Sequence, residues 1–184
     1  QATESVQELV SRFKIGRGSF DFNVDQGRRF RDAVQDCLAS LAAGGVNIWD
    51  QNYRPIAGTS PQKYEVSYCA AFEQKMQPLL ESALSSLKGG VYSLIIDTRG
   101  YGAIHNQKYS RPLTGNYDAD LVGNRTRRIW DDVTGQRGAK NTLPLLVQTY
   151  ARDTGEILSE INMPIMVGGR HWGGGDARRR CSRR

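Results

Sequence analysis

Apolar residues recur at helical spacing through the first half of the chain and at strand spacing through much of the second. Val6, Leu9, Val10 and Phe13 keep a helical stripe up to Gly16, and Ser19 then offers a new N-cap. Residues 1–14 therefore read as the end of a longer helix. Phe30, Val34, Cys37, Leu38 and Leu41 make the apolar face of a second helix predicted over about 20–43, which Gly44 and Gly45 end. Val46 to Trp49 reads as a short strand and Asp50 to Pro55 as a turn. Ser60-Pro61 opens a third predicted helix. Its stripe runs Tyr64, Tyr68, Phe72, Met76, Leu79, Leu80, Leu84 and Leu87, with Pro78 as a kink and Gly89-Gly90 as the stop.

Beyond Gly90 the period changes. Val91 to Ile96 is a continuous apolar run, as in a central strand, and the turn Asp97 to Gly100 folds it onto a second predicted strand, Tyr101 to His105. Residues 106–143 are polar and rich in Gly, Asn, Asp and Arg, with one helical turn predicted near Thr126 to Asp132. That is too long for a plain connection and marks a ligand-binding or lid segment. Leu145 to Tyr150 and Ile157 to Val167 read as strands joined by a turn at Arg152 to Gly155, and His171-Trp172-Gly173 begins a last strand. Helices first, then five short strands with an insert, predict an α+β fold with a five-stranded antiparallel sheet and long N-terminal helices packed on it.

The 184 residues carry a net charge of +6. Residues 176–184, with five Arg against one Asp, hold +4 of it and the other 175 hold +2. The excess is thus a tail without interleaved aromatics, not a basic folded face, and nucleic-acid binding is not expected. No apolar stretch approaches the roughly 18 residues of a membrane span. Cys37, Cys69 and Cys181 form no CxxC pair, which suits reduced thiols and a cytoplasmic setting.

Catalytic chemistry finds little support. Asp153-Thr154-Gly155 spells an aspartic-protease triplet, but it sits in a predicted hairpin turn between Arg152 and Glu156 rather than in a dry site. Gly16 and Gly18 lack the third glycine and the preceding strand of a dinucleotide loop. His105 and His171 have no accompanying Cys or Asp cluster that would make a zinc site or a triad. No paired carboxylates or nucleophile–base set stands out, and the chain is not expected to be an enzyme. What remains is the insert. His105, Asn106, Tyr109, Arg111, Asn116, Asn124, Arg125, Arg127, Arg128 and Trp130 bring amides, guanidiniums and aromatics to the strand edges. Such groups suit a carboxylate or phosphate with a ring or alkyl body, or else they staple a long loop to the sheet.

These residues carry a resemblance. Asp97, Gly100 and Tyr101, then His105-Asn106 with Lys108-Tyr109-Ser110 and Pro112 to Tyr117, then Asp120 to Thr126 with Arg128 form one block. Asp132, Thr134-Gly135, Ala139 to Thr142, Gln148 to Tyr150 with Arg152 to Glu156, Met163 to Ile165 with Val167, and Gly169 to Gly173 continue it. The pattern resembles a sensor module of bacterial methyl-accepting chemotaxis proteins and covers about residues 46–173. The resemblance implies a PAS/Cache-like fold. Leu9 to Phe13 resembles the last turn of the helical signalling hairpin of those receptors. That implies a signalling-helix end over 1–15, a sensor domain over 16–173 and a cytoplasmic position C-terminal to the signalling part. In the family the last strand continues past His-Trp-Gly with an alternating apolar segment. Here Gly174 to Ala177 and the Arg-rich residues follow, so 174–184 reads as a tail of altered origin, as a frameshift would leave.

The expected function is a ligand-sensing domain that binds a small polar or anionic molecule and passes a conformational change to the signalling helices. Its expected partners are that ligand, the rest of the receptor with its kinase complex, and a second copy of the chain in a homodimer. The site residues expected are His105, Asn106, Tyr109, Asn124, Arg125, Trp130 and Tyr150. Two alternatives stand beside it: a ligand-free dimerisation module, and a sensor holding non-covalent haem or another redox group, with a histidine as axial ligand.

Overall fold

A computed structural model describes residues 17–151 and 157–181. The expected helix end over 1–15, the turn at 152–155 and residues 182–184 lie outside the described residues. The chain forms α+β architecture with antiparallel sheets, but the main sheet has four strands rather than five. The elements are α1 (Arg17–Ala43), β1 (Arg54–Ile56), β2 (Lys63–Glu65), α2 (Cys69–Lys75), α3 (Gln77–Ser86), β3 (Gly90–Asp97), β4 (Tyr101–Gly102), α4 (Tyr117–Gly123), β5 (Arg128–Ile129), α5 (Val133–Lys140), β6 (Leu146–Ala151), β7 (Ile157–Val167) and β8 (Arg170–Arg180).

The long helix follows from its stripe. Phe30, Val34 and Leu38 recur every four residues, so they share one face, and all are buried. Backbone N–H groups of Gly44, Gly45 and Val46 close the last turn onto Ser40, Ala42 and Leu41 carbonyls, with Gly45 at φ +91°. Asn23 ties this helix to the start of β3: its amide donates to the Lys88 carbonyl and its Oδ1 accepts from the Lys88 N–H.

Several expectations are corrected. Val46 to Trp49 is a turn whose Ile48 is buried, not a strand. The single helix expected from Ser60 is a short strand, β2, followed by two helices that break at Met76, because Pro78 cannot supply an N–H to a continuing helix and instead fits the first turn of α3. Tyr101 does not pair back onto β3. The short β4 pairs with β5, Tyr101 with Ile129 and Gly102 with Arg128, which leaves residues 128–129 a strand and puts the helices of the insert at 117–123 and 133–140. Asn116 and Asp132 cap those two helices, accepting from the N–H groups of Ala119 and Gly135.

The largest difference concerns β8. The strand does not end at Gly173 but runs to Arg180 and lies inside the sheet, in the order β3-β8-β7-β6. Its glycines are what the position demands. A side chain at Gly173 would meet the Ile96 carbonyl oxygen at 1.9 Å, and one at Gly174 would meet the Gly138 carbonyl oxygen of α5 at 2.6 Å. Partner strands on both sides satisfy the backbone, so local preference against Gly and Arg in strands is overridden.

Register decides which residues share a face. Tyr92, Arg178, Glu160 and Gln148 are direct neighbours across the four strands, and Leu94, Asp176, Asn162 and Leu146 form the next row. These rows lie under α5 and the insert. The alternating residues Ile95, Ile161, Met163, Ile165 and Trp172 turn to the other face, against α1, α2 and α3. Burial on both faces explains why β3 reads as an unbroken apolar run.

Candidate functional site

The insert closes over the polar face of the sheet and leaves a cavity of about 170 Å³ lined by Tyr92, Leu94, Ile96, Arg125, Trp130, Asp132, Gly135, Asp176 and Arg178. That is below the roughly 300–1,000 Å³ of drug-sized sites and suits a small molecule. β3 and β8 form the floor. Residues 125–135 form the roof, held in place by backbone bonds: Arg125 N–H to the Tyr109 carbonyl at 2.7 Å and Trp130 N–H to the Gly100 carbonyl at 2.8 Å. Gln136 reinforces the second clamp by donating to the Trp130 carbonyl at 2.8 Å.

Guanidiniums and rings interleave here. Arg125 lies 4.8 Å and Arg128 lies 4.3 Å from the centre of the Trp130 ring. Arg178 sits 4.7 Å from the Tyr92 ring and 5.1 Å from the Tyr150 ring, and donates to the Tyr150 hydroxyl. A guanidinium held over a ring face keeps its N–H donors at its edge rather than under the ring.

Carboxylates complete the floor. Arg178 forms an ion pair with Glu160 at 2.6 Å, and both Glu160 and Asp176 are almost fully buried. Asp176 accepts from the Asn162 amide, whose Oδ1 accepts from Asn141 at 3.0 Å. Gln148 donates to Glu160 at 3.4 Å. Burial raises the pKa of Glu160, and the negative charge of Asp176 raises it further. Burial also raises Asp176, against the pull of Arg178. With one guanidinium against two buried carboxyls, the Glu160–Asp176 pair favours holding a proton.

The seven expected residues divide into two groups. Arg125 and Trp130 line the cavity, and Tyr150 reaches its edge through Arg178. The others staple the insert. The Asn106 amide donates to the Leu80 carbonyl at 3.1 Å and to Ser93 Oγ at 3.0 Å, and its Oδ1 accepts from the Ser93 N–H at 2.8 Å. Asn124 Oδ1 accepts from the Lys63 ammonium at 2.7 Å, and its amide donates to the Arg111 carbonyl at 2.7 Å. His105 is buried with its ring centre 5.1 Å from Tyr92 and 4.9 Å from Tyr109, and its Nδ1 accepts from the Asn106 N–H at 2.8 Å. Burial, with Arg125 and Arg178 nearby, holds it far below the ordinary histidine range, so it is neutral. Tyr109 donates to the Val91 carbonyl at 3.2 Å. These four support the site from behind its walls.

His105, so enclosed and beside a cavity of about 170 Å³, leaves no room for a porphyrin and does not fit as a haem ligand. Among the described residues no cluster of three His, Cys, Asp or Glu side chains could hold a metal ion, and no helix is long and apolar enough to cross a membrane.

Sequence reasoning missed Tyr92, Glu160, Asp176 and Arg178. Tyr92 and Glu160 looked like strand residues, and period-two alternation from them onto one face could have placed them under the insert. Asp176 and Arg178 were assigned to the tail, and only pairing with β3 and β7 brings them in.

No family model matches the sequence, and no curated protein matches it. A solved structure, an extracellular ligand binding receptor from Desulfohalobium retbaense DSM5692, is similar with a TM-score of 0.40 and 12% identity. The match covers 87% of this chain and 24% of that chain, so the present chain spans about a quarter of the receptor chain's length.

Proposed function

We propose that this chain is a ligand-sensing domain that binds a small anionic molecule in the cavity between the sheet and the insert. One observation carries the reading: Arg125 from the roof and Arg178 from the floor line the same small cavity, each stacked on an aromatic ring. Two guanidiniums recognise a carboxylate, phosphate or sulfate group through paired N–H donors, and Trp130 and Tyr92 cover its apolar body. The reading is a binding role and not a catalytic one.

The strands give a route outward. Glu160 and Asn162 lie on the insert side of the sheet beside Arg178 and Asp176, while Ile161 and Met163 of the same strand pack on α1, where a side chain at Gly27 would already meet Met163 at 3.2 Å. A ligand that shifts β7 or β8 biases the seating of α1. The sequence resemblance to chemoreceptor sensor modules supports assigning that output to the signalling part of a PAS/Cache-like, dimeric, cytoplasmic receptor.

The test is a thermal-melting screen with acetate, succinate, inorganic phosphate and sulfate, repeated on Arg125→Ala. Saturable stabilisation by at least one anion, lost in Arg125→Ala at an unchanged unliganded melting temperature, supports the proposal. Equal stabilisation of both proteins removes Arg125 and this cavity from the reading.

A further inference from the structure

The cavity floor contains more acid than an anion site needs. Lining the cavity are Arg125 and Asp132 from the insert, Asp176 and Arg178 from β8 and Tyr92 from β3; Glu160 of β7 and Tyr150 of β6 contact Arg178, and Gln148 of β6 contacts Glu160. Arg128 lies behind Trp130, and His105, behind Tyr92, is neutral. With both ionised, the buried carboxyls of Glu160 and Asp176 set two negative charges against the single guanidinium of Arg178. An arriving anion would then meet a floor of net negative charge, and Arg178 would already be engaged by Glu160 at 2.6 Å.

One proton changes both terms. The buried Glu160–Asp176 pair has the single guanidinium of Arg178 beside it and favours holding one proton. In that state the charges of the floor balance, and the hold of Glu160 and Asp176 on Arg178 is weakened. Asn162 and Gln148 keep the two carboxyls in place as the charge changes, through bonds to Asp176 and Glu160. The backbone of Gly138 lies directly over all three groups, with room for no side chain: a Cβ there would sit 3.0 Å from Asn162, 3.4 Å from Glu160 and 3.5 Å from Asp176. No water shell can replace the missing proton in so close a space.

Building on the proposed anion site, we infer that the cavity binds its anionic ligand only when the Glu160–Asp176 pair holds a proton, so that anion and proton enter as a unit. On the acid side of the pair's titration the proton is already present and affinity does not depend on pH. On the alkaline side each binding event takes one proton from water onto the pair, and affinity falls about tenfold per pH unit.

Acetate and sulfate test this, because neither changes charge between about pH 6 and pH 9. Their affinities are measured across that range by thermal melting, and proton uptake by isothermal titration in buffers of different ionisation enthalpy. Expected are a flat acid limb, an alkaline limb falling about tenfold per unit, and uptake approaching one proton on that limb. Glu160→Gln, which keeps the side-chain shape and cannot ionise, is expected to bind with a flat profile throughout. A flat profile in the natural chain, with no proton uptake, overturns this inference and leaves the anion site standing. A sloping profile that survives in a folded Glu160→Gln overturns it as well. If Glu160→Gln does not fold, the slope and proton uptake of the natural chain decide. No stabilisation by either anion at any pH removes the anion site and this inference together.

Discussion

Arg125 and Trp130 stack on each other in the roof of the cavity, with the guanidinium 4.8 Å from the ring centre. Arg128 approaches the same ring at 4.3 Å, so one indole orders two cations. A cation over an aromatic face is stabilised by about 0.5–2 kcal/mol. Trp130→Ala removes the ring face from both guanidiniums and is expected to weaken acetate and sulfate binding by about tenfold, whereas Trp130→Phe keeps a ring face and stays within about threefold. Thermal-shift titrations measure both. Equal losses in the two variants would show that the ring face does not order the cations.

Asn106 is expected to be a stability residue and not a ligand contact. Its amide satisfies the Leu80 carbonyl, Ser93 Oγ and the Ser93 N–H in a buried setting. Asn106→Ala leaves the Ser93 N–H unpaired, while Ser93 Oγ keeps its bond to the Leu80 carbonyl at 2.7 Å, and is expected to cost about 1–3 kcal/mol in urea denaturation. Anion affinity of the folded fraction stays unchanged; a specific loss of affinity at normal stability would contradict this.

Arg127 is the non-glycine residue at positive φ, +58°, among the described residues. It is held there by ion pairs to Glu65 at 3.2 Å and to Glu73, and by its bonds to the Ala103 carbonyl. Both Arg127→Ala and Arg127→Gly lose the ion pairs, but only Gly is at ease with this φ. Arg127→Gly is therefore expected to be more stable than Arg127→Ala by about 1 kcal/mol. Denaturant midpoints of the two variants decide it, and the reverse order would show that side-chain contacts alone set the conformation.

Gly173 of β8 tolerates no side chain, because the Cβ would lie 1.9 Å from the Ile96 carbonyl oxygen and 2.8 Å from Asp97 Cα. Those atoms are backbone of the neighbouring strand and cannot turn aside. Gly173→Ala is expected to destabilise by about 3 kcal/mol or more, while Ala at Gly168, where space is open, is limited to the cost of its positive φ, about 1 kcal/mol. Comparable melting temperatures would mean that β8 does not pair with β3 in this register.

His105 makes the fold acid-sensitive. Its folded-state pKa lies well below 6.5, mainly through burial. Below about pH 6.5 the unfolded chain binds a proton at this residue that the folded chain refuses, so stability falls as pH drops. The raised pKa of Glu160 acts in the opposite sense, its contribution being lost as pH rises. Comparison with His105→Gln isolates the histidine: melting temperatures of the natural chain should fall more steeply below about pH 6.5 than those of the variant. Parallel curves would mean that His105 is protonated when folded.

Periodicity alone located α1, because Phe30, Val34 and Leu38 must share one face whatever they pack against. It also placed β7 over 157–167 and marked β3 as a strand buried on both faces. The same reasoning made one helix of residues 60–87, because Tyr64 and Tyr68 keep the four-residue spacing. Pairing of Tyr64 with Pro55 across β1 and β2 outweighs that spacing. At the site, the polarity of the insert pointed to Arg125 and Trp130, while His105, Asn106 and Asn124 share the same composition and act as staples. Side-chain type does not distinguish a group that faces a cavity from one that holds the wall behind it.

What the sequence determined by itself is the set of helix and strand periods, the α+β order and the segment that carries the cavity roof. These depend on neighbours a few residues apart. The tertiary structure decided the floor. Gly173 to Arg180 have weak local preference for any regular element, and they become a strand because β3 and β7 supply backbone partners on both sides and tolerate little but glycine at the tightest contacts. That pairing brings Arg178 beside Glu160 and Tyr92, and Asp176 beside Asn162 and Leu94. The charges of the site are set by residues distant in the chain, whose meeting no local pattern records.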